Sequence, residues 1–390
     1  MMEEGYLKTK LKRHDSILIL LTLSLVLSDW RINAYIAFSD LLLIISLFTL
    51  LTNGHVKLKK EQLLTYVLIT CFALINMTLH YFFNNNFQVF SGTIGTLKVF
   101  FYLALMIFFY NFIIEKKLEI RMLGILYKTA WVVCIIGIYI YISILLGDIL
   151  PYKFLWKFTR SDLSSYTYGS IANIIRMRSV FSEPAHMGFF LLIILGISYF
   201  NKYEYRLTKK NGLLIILSLI LSFSFSSIIV LIIIEVFNFI RNKNLFKLYV
   251  NKTNLIVFLI LIVFLIIKKD TLSKTFITRI QRIISGIDTS ASARLFESWN
   301  YITFENILIG RGIGNTPNIF NNYAYILSDL GVFGLMIFLF YNLKILNNNK
   351  YLFIILILLN FMKGGYLGAG FWVFTMIFAI YSFNQKNKIT

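Results

Sequence analysis

The chain has 390 residues, of which 58% are apolar and 14% charged, and its mean hydropathy is +0.74; a water-soluble globule of this length does not reach such values. The formal net charge of +20 would suggest nucleic acid in a soluble protein, but the lysines and arginines sit in short clusters between apolar runs, which is a pattern of membrane topology and excludes a nucleic-acid partner. No polar stretch is long enough to fold in water by itself, so residues 1–390 read as a single integral membrane domain in a lipid bilayer, all-α, with about twelve transmembrane helices.

Lys8, Lys10, Lys12 and Arg13 precede the first apolar run, Ser16 to Ser28. The run resembles the core of a signal peptide, but no small-residue cleavage site follows and another apolar run begins at Ala34, so it reads as a retained first helix. With the basic amino terminus in the cytoplasm, spans are predicted near 16–30, 34–52, 63–83, 95–114, 122–147 and 185–200. Gly212 to Ile240 is an apolar stretch of about 43 Å as a helix, too long for one span and short for two. Its flanks, Lys209 and Lys210 before and Arg241 and Lys243 after, both belong in the cytoplasm, so the chain crosses twice and Ser222, Ser224, Ser226 and Ser227 mark the outer tip of a helical hairpin.

Further spans near 254–267, 321–341, 351–362 and 371–383 return the carboxyl terminus to the cytoplasm. The other short inside connections are basic throughout, carrying Lys57, Lys59, Lys60, Lys116, Lys117, Arg121, Lys202, Arg206, Lys344, Lys350, Lys386 and Lys388. Outside connections are short and nearly uncharged except two, 148–184 and 268–320. Long loops are exempt from the charge rule, so their basic residues call for another explanation, of which an anionic substrate is one. Cys71 and Cys134 lie inside apolar runs and read as packing residues.

The first long loop combines Arg160, Arg176 and Arg178 with Trp156, Tyr166 and Tyr168, and ends in Glu183 and His186 where the chain returns to the membrane. Guanidinium forks suit phosphate oxygens and aromatic faces suit sugar rings, so the mixture fits a phosphorylated glycan. Pro184 is placed for the first turn of a helix, which sets Glu183 at or beside its amino-terminal cap. Two roles are open to that carboxylate, a catalytic base or a helix cap lowered in pKa by the helix dipole. The second loop holds Arg279, Arg282, Arg294 and Arg311, with Phe296, Trp299 and Tyr301 on a surface helix starting near Ser290 or Ser292. Arg294 can contact substrate or pair with Glu297 along the helix. Gly310-Arg311-Gly312-Ile313-Gly314-Asn315 lacks a preceding strand and the spacing of a dinucleotide or P-loop fingerprint, and reads as a turn that brings backbone or Arg311 to a site. Asn321, Asn322 and Tyr323 lead into the next span, where Asp329 lies about two turns inside; Asp40 and Glu235 are also intramembrane carboxylates, Glu235 being near enough to its helix end to snorkel. His14, His55 and His80 form no ligand pattern with His186, which argues against a zinc centre.

Arg178-Ser-Val-Phe-Ser-Glu183-Pro-Ala-His186-Met-Gly188, followed by Ser292 to Trp299, Gly310 to Asn315 and Asn321 to Leu335, resembles the Wzy-type polymerases of O-antigen and capsule repeat units, in the superfamily that also holds the O-antigen ligases. The resemblance implies a multi-pass protein of the bacterial cytoplasmic (inner) membrane, both termini cytoplasmic, with an extracytoplasmic active site between two large loops. It implies glycosyl transfer of a growing glycan from undecaprenyl pyrophosphate onto a fresh lipid-linked repeat unit, with no metal or other cofactor and with a separate chain-length regulator as partner. Carried over residue by residue, Arg178 and Arg294 become the pyrophosphate ligands and Glu183 the base, with Arg176, His186, Arg311, Trp299, Asn321, Tyr323 and Asp329 around the substrate. The ligase branch has a His just before the span that here begins at Asn321, and its replacement by Asn321-Asn322 favours the polymerase. A lipid-linked oligosaccharide flippase is the remaining alternative, but it would carry its charges along a central cavity with short outer loops.

Overall fold

The fold, taken from a computed structural model, covers residues 2–33, 35–52, 58–168, 174–241, 277, 281–317 and 319–383, with the side chains of 2–13, 289 and 290 left aside. The predicted span 254–267, Arg279, His55 and the basic residues Lys57, Lys243, Lys386 and Lys388 lie outside the described residues. Helices follow the apolar runs: α1 Met2–Val26, α2 Phe38–Thr52, α3 Lys60–Phe83, α4 Val89–Glu115, α5 Glu119–Leu145, α6 Pro184–Phe200, α7 Lys209–Leu221 and α8 Phe225–Arg241. After these come the short α9 Thr289–Leu295 and then α10 Asn322–Asn348, α11 Lys350–Met362 and α12 Ala369–Ser382. A helix lies over each predicted span that falls among the described residues. Four of them, α3, α4, α5 and α10, are long and apolar enough to cross a membrane, and α2, α6, α11 and α12 are shorter apolar helices. The chain is therefore an all-α membrane protein; its described strands are Thr167–Tyr168 and Ile174–Ile175, paired antiparallel.

At the centre stands α6, buried on nearly every face and packed against α5, α7, α8, α11 and α12, as expected of a helix that is apolar all round. Small residues let its neighbours come close: a Cβ on Gly188 would lie 2.0 Å from Ser227 Oγ of α8, the kind of contact that holds helices together where lipid removes the hydrophobic drive. The hairpin read from the charges takes the form of α7 and α8 joined at Ser222–Ser224. Ser222 Oγ donates to the Leu219 carbonyl and receives the Ser224 amide, while Ser227 Oγ donates to Ser224 Oγ, so the serines satisfy the turn's own polar groups.

One helix departs from the pattern of the hydropathy. α10 is interrupted at Gly331, whose φ of 68° lies outside the helical region, and residues 307–316 pass across the gap. Arg311 N donates to Ser328 O at 2.7 Å, Gly312 N to Asp329 O at 3.1 Å and Val332 N to Ile307 O at 2.8 Å. Broken helices are tolerated in a membrane when other backbone takes up the freed groups, and here the crossing loop does so.

Long-range hydrogen bonds separate the two ends of the bundle. At one end the close of α1, the segment before α6, the α7–α8 turn, the start of α10 and the close of α11 meet: Trp30 Nε1 donates to Val180 O, Met177 N to Leu221 O, and Gly365 N to Asn322 Oδ1. At the other, Tyr203 donates to Glu119 and Asn349 to Phe200 O.

Candidate functional site

The segment that feeds α6 is buried from Met177 to Phe181, so its backbone has to find partners inside the protein. It does, from four directions. Arg176 N donates to Tyr166 O and Met177 N to Leu221 O, Trp156 Nε1 donates to Ser179 O, and Ser179 Oγ donates to Val133 O of α5. These bonds lock residues 176–183 in place and aim three side chains, Arg176, Glu183 and His186, at the meeting point of the helix ends.

Arg178, expected among the pyrophosphate ligands, is used otherwise. Its side chain is 1% exposed, its guanidinium stacks 3.6 Å from the Trp156 ring, and Nη1 donates to Phe181 O at 3.0 Å and Ser182 O at 2.7 Å. Burial pulls it down to about 10, with Asp162 and Tyr166 acting against that shift, and it remains a cation at neutral pH. It folds the turn that precedes Glu183. Nε and Nη2 are buried and have no hydrogen-bond partner among the described residues.

Glu183 occupies the amino-terminal cap position of α6 with Pro184 after it, yet its side chain makes no capping bond. The carboxylate instead accepts from Arg160 Nη1 at 2.9 Å, and Arg160 is fixed in turn by Asp162 through a fork of two bonds. Arg176 donates from Nε to Ser222 O at 3.4 Å. Burial brings Arg176 down to about 10, Glu183 opposing the shift and the like charge of Arg294 adding to it, so Arg176 lies within electrostatic reach of both.

Around His186 a second group assembles that the sequence reading left out. Asp29, just past the end of α1, takes His186 Nδ1 on Oδ2 at 2.6 Å and Lys363 Nζ on Oδ1 at 3.0 Å. Ser182 Oγ donates to the same Oδ2 at 2.9 Å. The side chains are 9% exposed for Asp29, 19% for His186 and 23% for Lys363, so the carboxylate is covered while the imidazole and ammonium reach the surface of the site.

The second loop contributes one arm. α9 begins at Thr289, with Asp288 as its cap accepting from Ala291 N at 2.8 Å, slightly earlier than the sequence suggested. From its last turn Arg294 crosses to Met362 O at 3.2 Å, next to Lys363, so the side chain runs into the site and not along its own helix toward Glu297. Asn321 is fully buried and caps α10, accepting from Tyr323 N at 2.9 Å and Ala324 N at 3.4 Å while its amide donates to Arg294 O; it supports Arg294 and is not open to substrate.

Three further expected contacts serve other purposes, and one lies elsewhere. Tyr323 packs its ring against Phe338 and Phe361. Asp329 is fully buried and holds the crossing loop, accepting from Gly314 N at 2.9 Å, Thr316 N at 3.0 Å and Tyr366 Oη at 2.7 Å. Trp299 packs against the cluster around Tyr323 and Ile326. Arg311, anchored by its amide to Ser328 O, faces the Tyr301 ring at 5.8 Å, in that same loop. Asp40 also has partners, Tyr102 Oη at 2.6 Å and its own turn at Ala37 N.

Of the expected site residues the structure thus gathers Arg176, Glu183, His186 and Arg294, and adds Asp29, Arg160, Ser182 and Lys363. Lys363 carried a signal: a lysine directly after a span whose end is predicted to lie outside runs against the charge rule. Among the described residues no group of three or more His, Cys, Asp and Glu side chains is placed to hold a metal ion. Fold and geometry together define an all-α membrane protein with a cluster of cations, carboxylates and one imidazole at one end of its helices. Comparison with known families, with curated proteins and with solved structures finds no match to this chain.

Proposed function

We propose that this protein is a repeat-unit polymerase of the bacterial inner membrane, moving a growing glycan from undecaprenyl pyrophosphate onto the sugar of a new lipid-linked repeat. The observation that carries this reading is that Arg294, from the second long loop, bonds to Met362 O beside Lys363, whose partner Asp29 also holds His186, while Arg176 from the first loop feels the charges of both Glu183 and Arg294 where the apolar helices end. A dozen spans with both termini cytoplasmic would put that end on the outer face.

The reaction asks for two things, and both kinds of group stand here. A glycosyl pyrophosphate departs as an anion, and preformed cations lower its energy in a site sheltered from water. Guanidinium groups do this with two donors in one plane, matched to phosphate oxygens. The attacking hydroxyl must also lose its proton to a nearby acceptor, for which Glu183 and His186 qualify. The ligase alternative lacks the His expected before Asn321, and Asn321 is spent on capping. A flippase would need its charges along a membrane-crossing cavity, whereas these sit at the helix ends.

A strain lacking the protein distinguishes the readings. Lipid-linked product stopped at a single repeat is the outcome expected of a polymerase; long unattached polymer would mean a ligase, and repeats trapped on the cytoplasmic face a flippase.

A further inference from the structure

Resting on the polymerase reading, we infer that His186 Nε2 is the group that takes the proton of the acceptor hydroxyl, and that Asp29 is its positioning residue. A carboxylate flanked by Lys363 can only accept hydrogen bonds, so the 2.6 Å contact to His186 Nδ1 fixes the ring proton on Nδ1. In the neutral ring that leaves Nε2 with the lone pair, and Nε2 has no hydrogen-bond partner among the described residues. The tautomer is set by the second nitrogen's partner, as in other histidine bases.

Ser182 does not turn this into a nucleophilic triad. Its Oγ shares Nδ1 with Asp29, at 2.8 Å, and gives its own proton to Asp29 Oδ2; a serine activated for attack would have to face Nε2 while the carboxylate held Nδ1. Glu183, the competing acceptor, has Oε1 already occupied by Arg160 Nη1 at 2.9 Å.

In the transfer, the acceptor oxygen forms a bond to the anomeric carbon as the carbon–oxygen bond to pyrophosphate breaks, and the electron pair of that bond leaves with the diphosphate toward Arg176, Arg294 and Lys363. The hydroxyl proton passes to His186 Nε2, the imidazolium is held by Asp29, and water later removes the proton. Asp29 therefore acts on two neighbours at once. It steadies the developing imidazolium on Oδ2 and anchors Lys363 on Oδ1.

The test uses the full-length protein in lipid vesicles with single-repeat undecaprenyl-pyrophosphate glycan extracted from the deletion strain, scored by chain extension. His186→Gln should lose about 100-fold in kcat with KM unchanged, in the range that removal of a general base produces, and a larger loss than Glu183→Gln causes. His186→Gly should regain at least tenfold on addition of free imidazole, and Asp29→Asn should lower kcat and leave KM in place. A His186→Gln protein as fast as wild type, or a Glu183→Gln protein slower than His186→Gln, overturns the assignment while the polymerase reading stands. An intact protein that does not extend the lipid-linked repeats at all overturns both.

Discussion

Arg178 and Arg294 share a functional group and a place in the same resemblance, yet the fold gives them different roles. Arg178 is enclosed, stacked on Trp156 and bonded to two carbonyls; removing it would strand both acceptors and lose a desolvated cation–π contact, a loss of about 3 kcal/mol. Arg178→Ala is therefore expected to lower the unfolding temperature in detergent, and Arg178→Lys to repair little, because a lysine cannot fork or stack in the same way. Arg294→Ala should do the opposite, keeping the unfolding temperature while chain extension drops at least 100-fold; equal thermal stability for both variants would contradict the separation. Asp162 offers a pH handle at the same scale. The Arg160 fork and Ser164 hold its carboxyl at about 2, below the unfolded value, so its contribution is present above about pH 4 and fades as pH falls toward 2. Pepsin cleavage around 160–168, corrected with a free peptide, should rise between pH 4 and pH 2, and Asp162→Asn should show the faster rate already at pH 4. The sequence pointed to arginines by kind and loop, but which arginine is open and which is enclosed depends on Trp156, 22 residues upstream of Arg178, closing over one of them.

At the scale of elements, apolar runs located the helices well, since a lipid-facing helix has to be apolar along a whole bilayer width. The serine hairpin was legible for a related reason: charges on both flanks demanded two crossings, and the serines alone were able to satisfy a turn there. The break in α10 was not legible. A glycine inside an apolar run is ordinary in membrane helices, and only the loop crossing at residues 307–316 gives Gly331 its positive φ. That crossing brings backbone against backbone: a Cβ on Gly310 would lie 2.2 Å from Asp329 O, and one on Gly331 2.1 Å from Leu308 O. Neither atom can step aside as a flexible side chain would. Gly310→Ala and Gly331→Ala are each expected to cost more than the roughly 1–2 kcal/mol of a left-handed non-glycine residue, read as a lower unfolding temperature in detergent. Gly212→Ala in α7, where a Cβ meets nothing within 4 Å, is the control and should be neutral or slightly stabilising. A control as damaging as the two crossing variants would remove the argument.

For the whole molecule, charge placement and internal contacts are independent routes to the same division. The charge rule assigns sides from the lysines of short loops. The contacts know nothing of sides, yet they join Asp29, Ser182, His186 and Lys363 at one end, and Glu119 with Tyr203 at the other. Each set falls wholly on one side of the charge-derived topology. What the charges did not disclose is that the end with Lys363 keeps cations of its own, Lys363 being paired there with Asp29, 334 residues away in the chain. The division can be checked with cysteine probes. Replacing Cys71 and Cys134 gives a background without native thiols; Leu163→Cys, at a position 67% exposed on the first long loop, then reports on one end, and Lys209→Cys, exposed at the start of α7, on the other. In intact cells a membrane-impermeant maleimide should label position 163 and leave 209 untouched until the membrane is opened. The reverse pattern would put the cationic end in the cytoplasm, where an outward-facing lipid-linked glycan cannot reach it, and labelling of both in intact cells would mean that the two ends of the bundle do not face opposite sides.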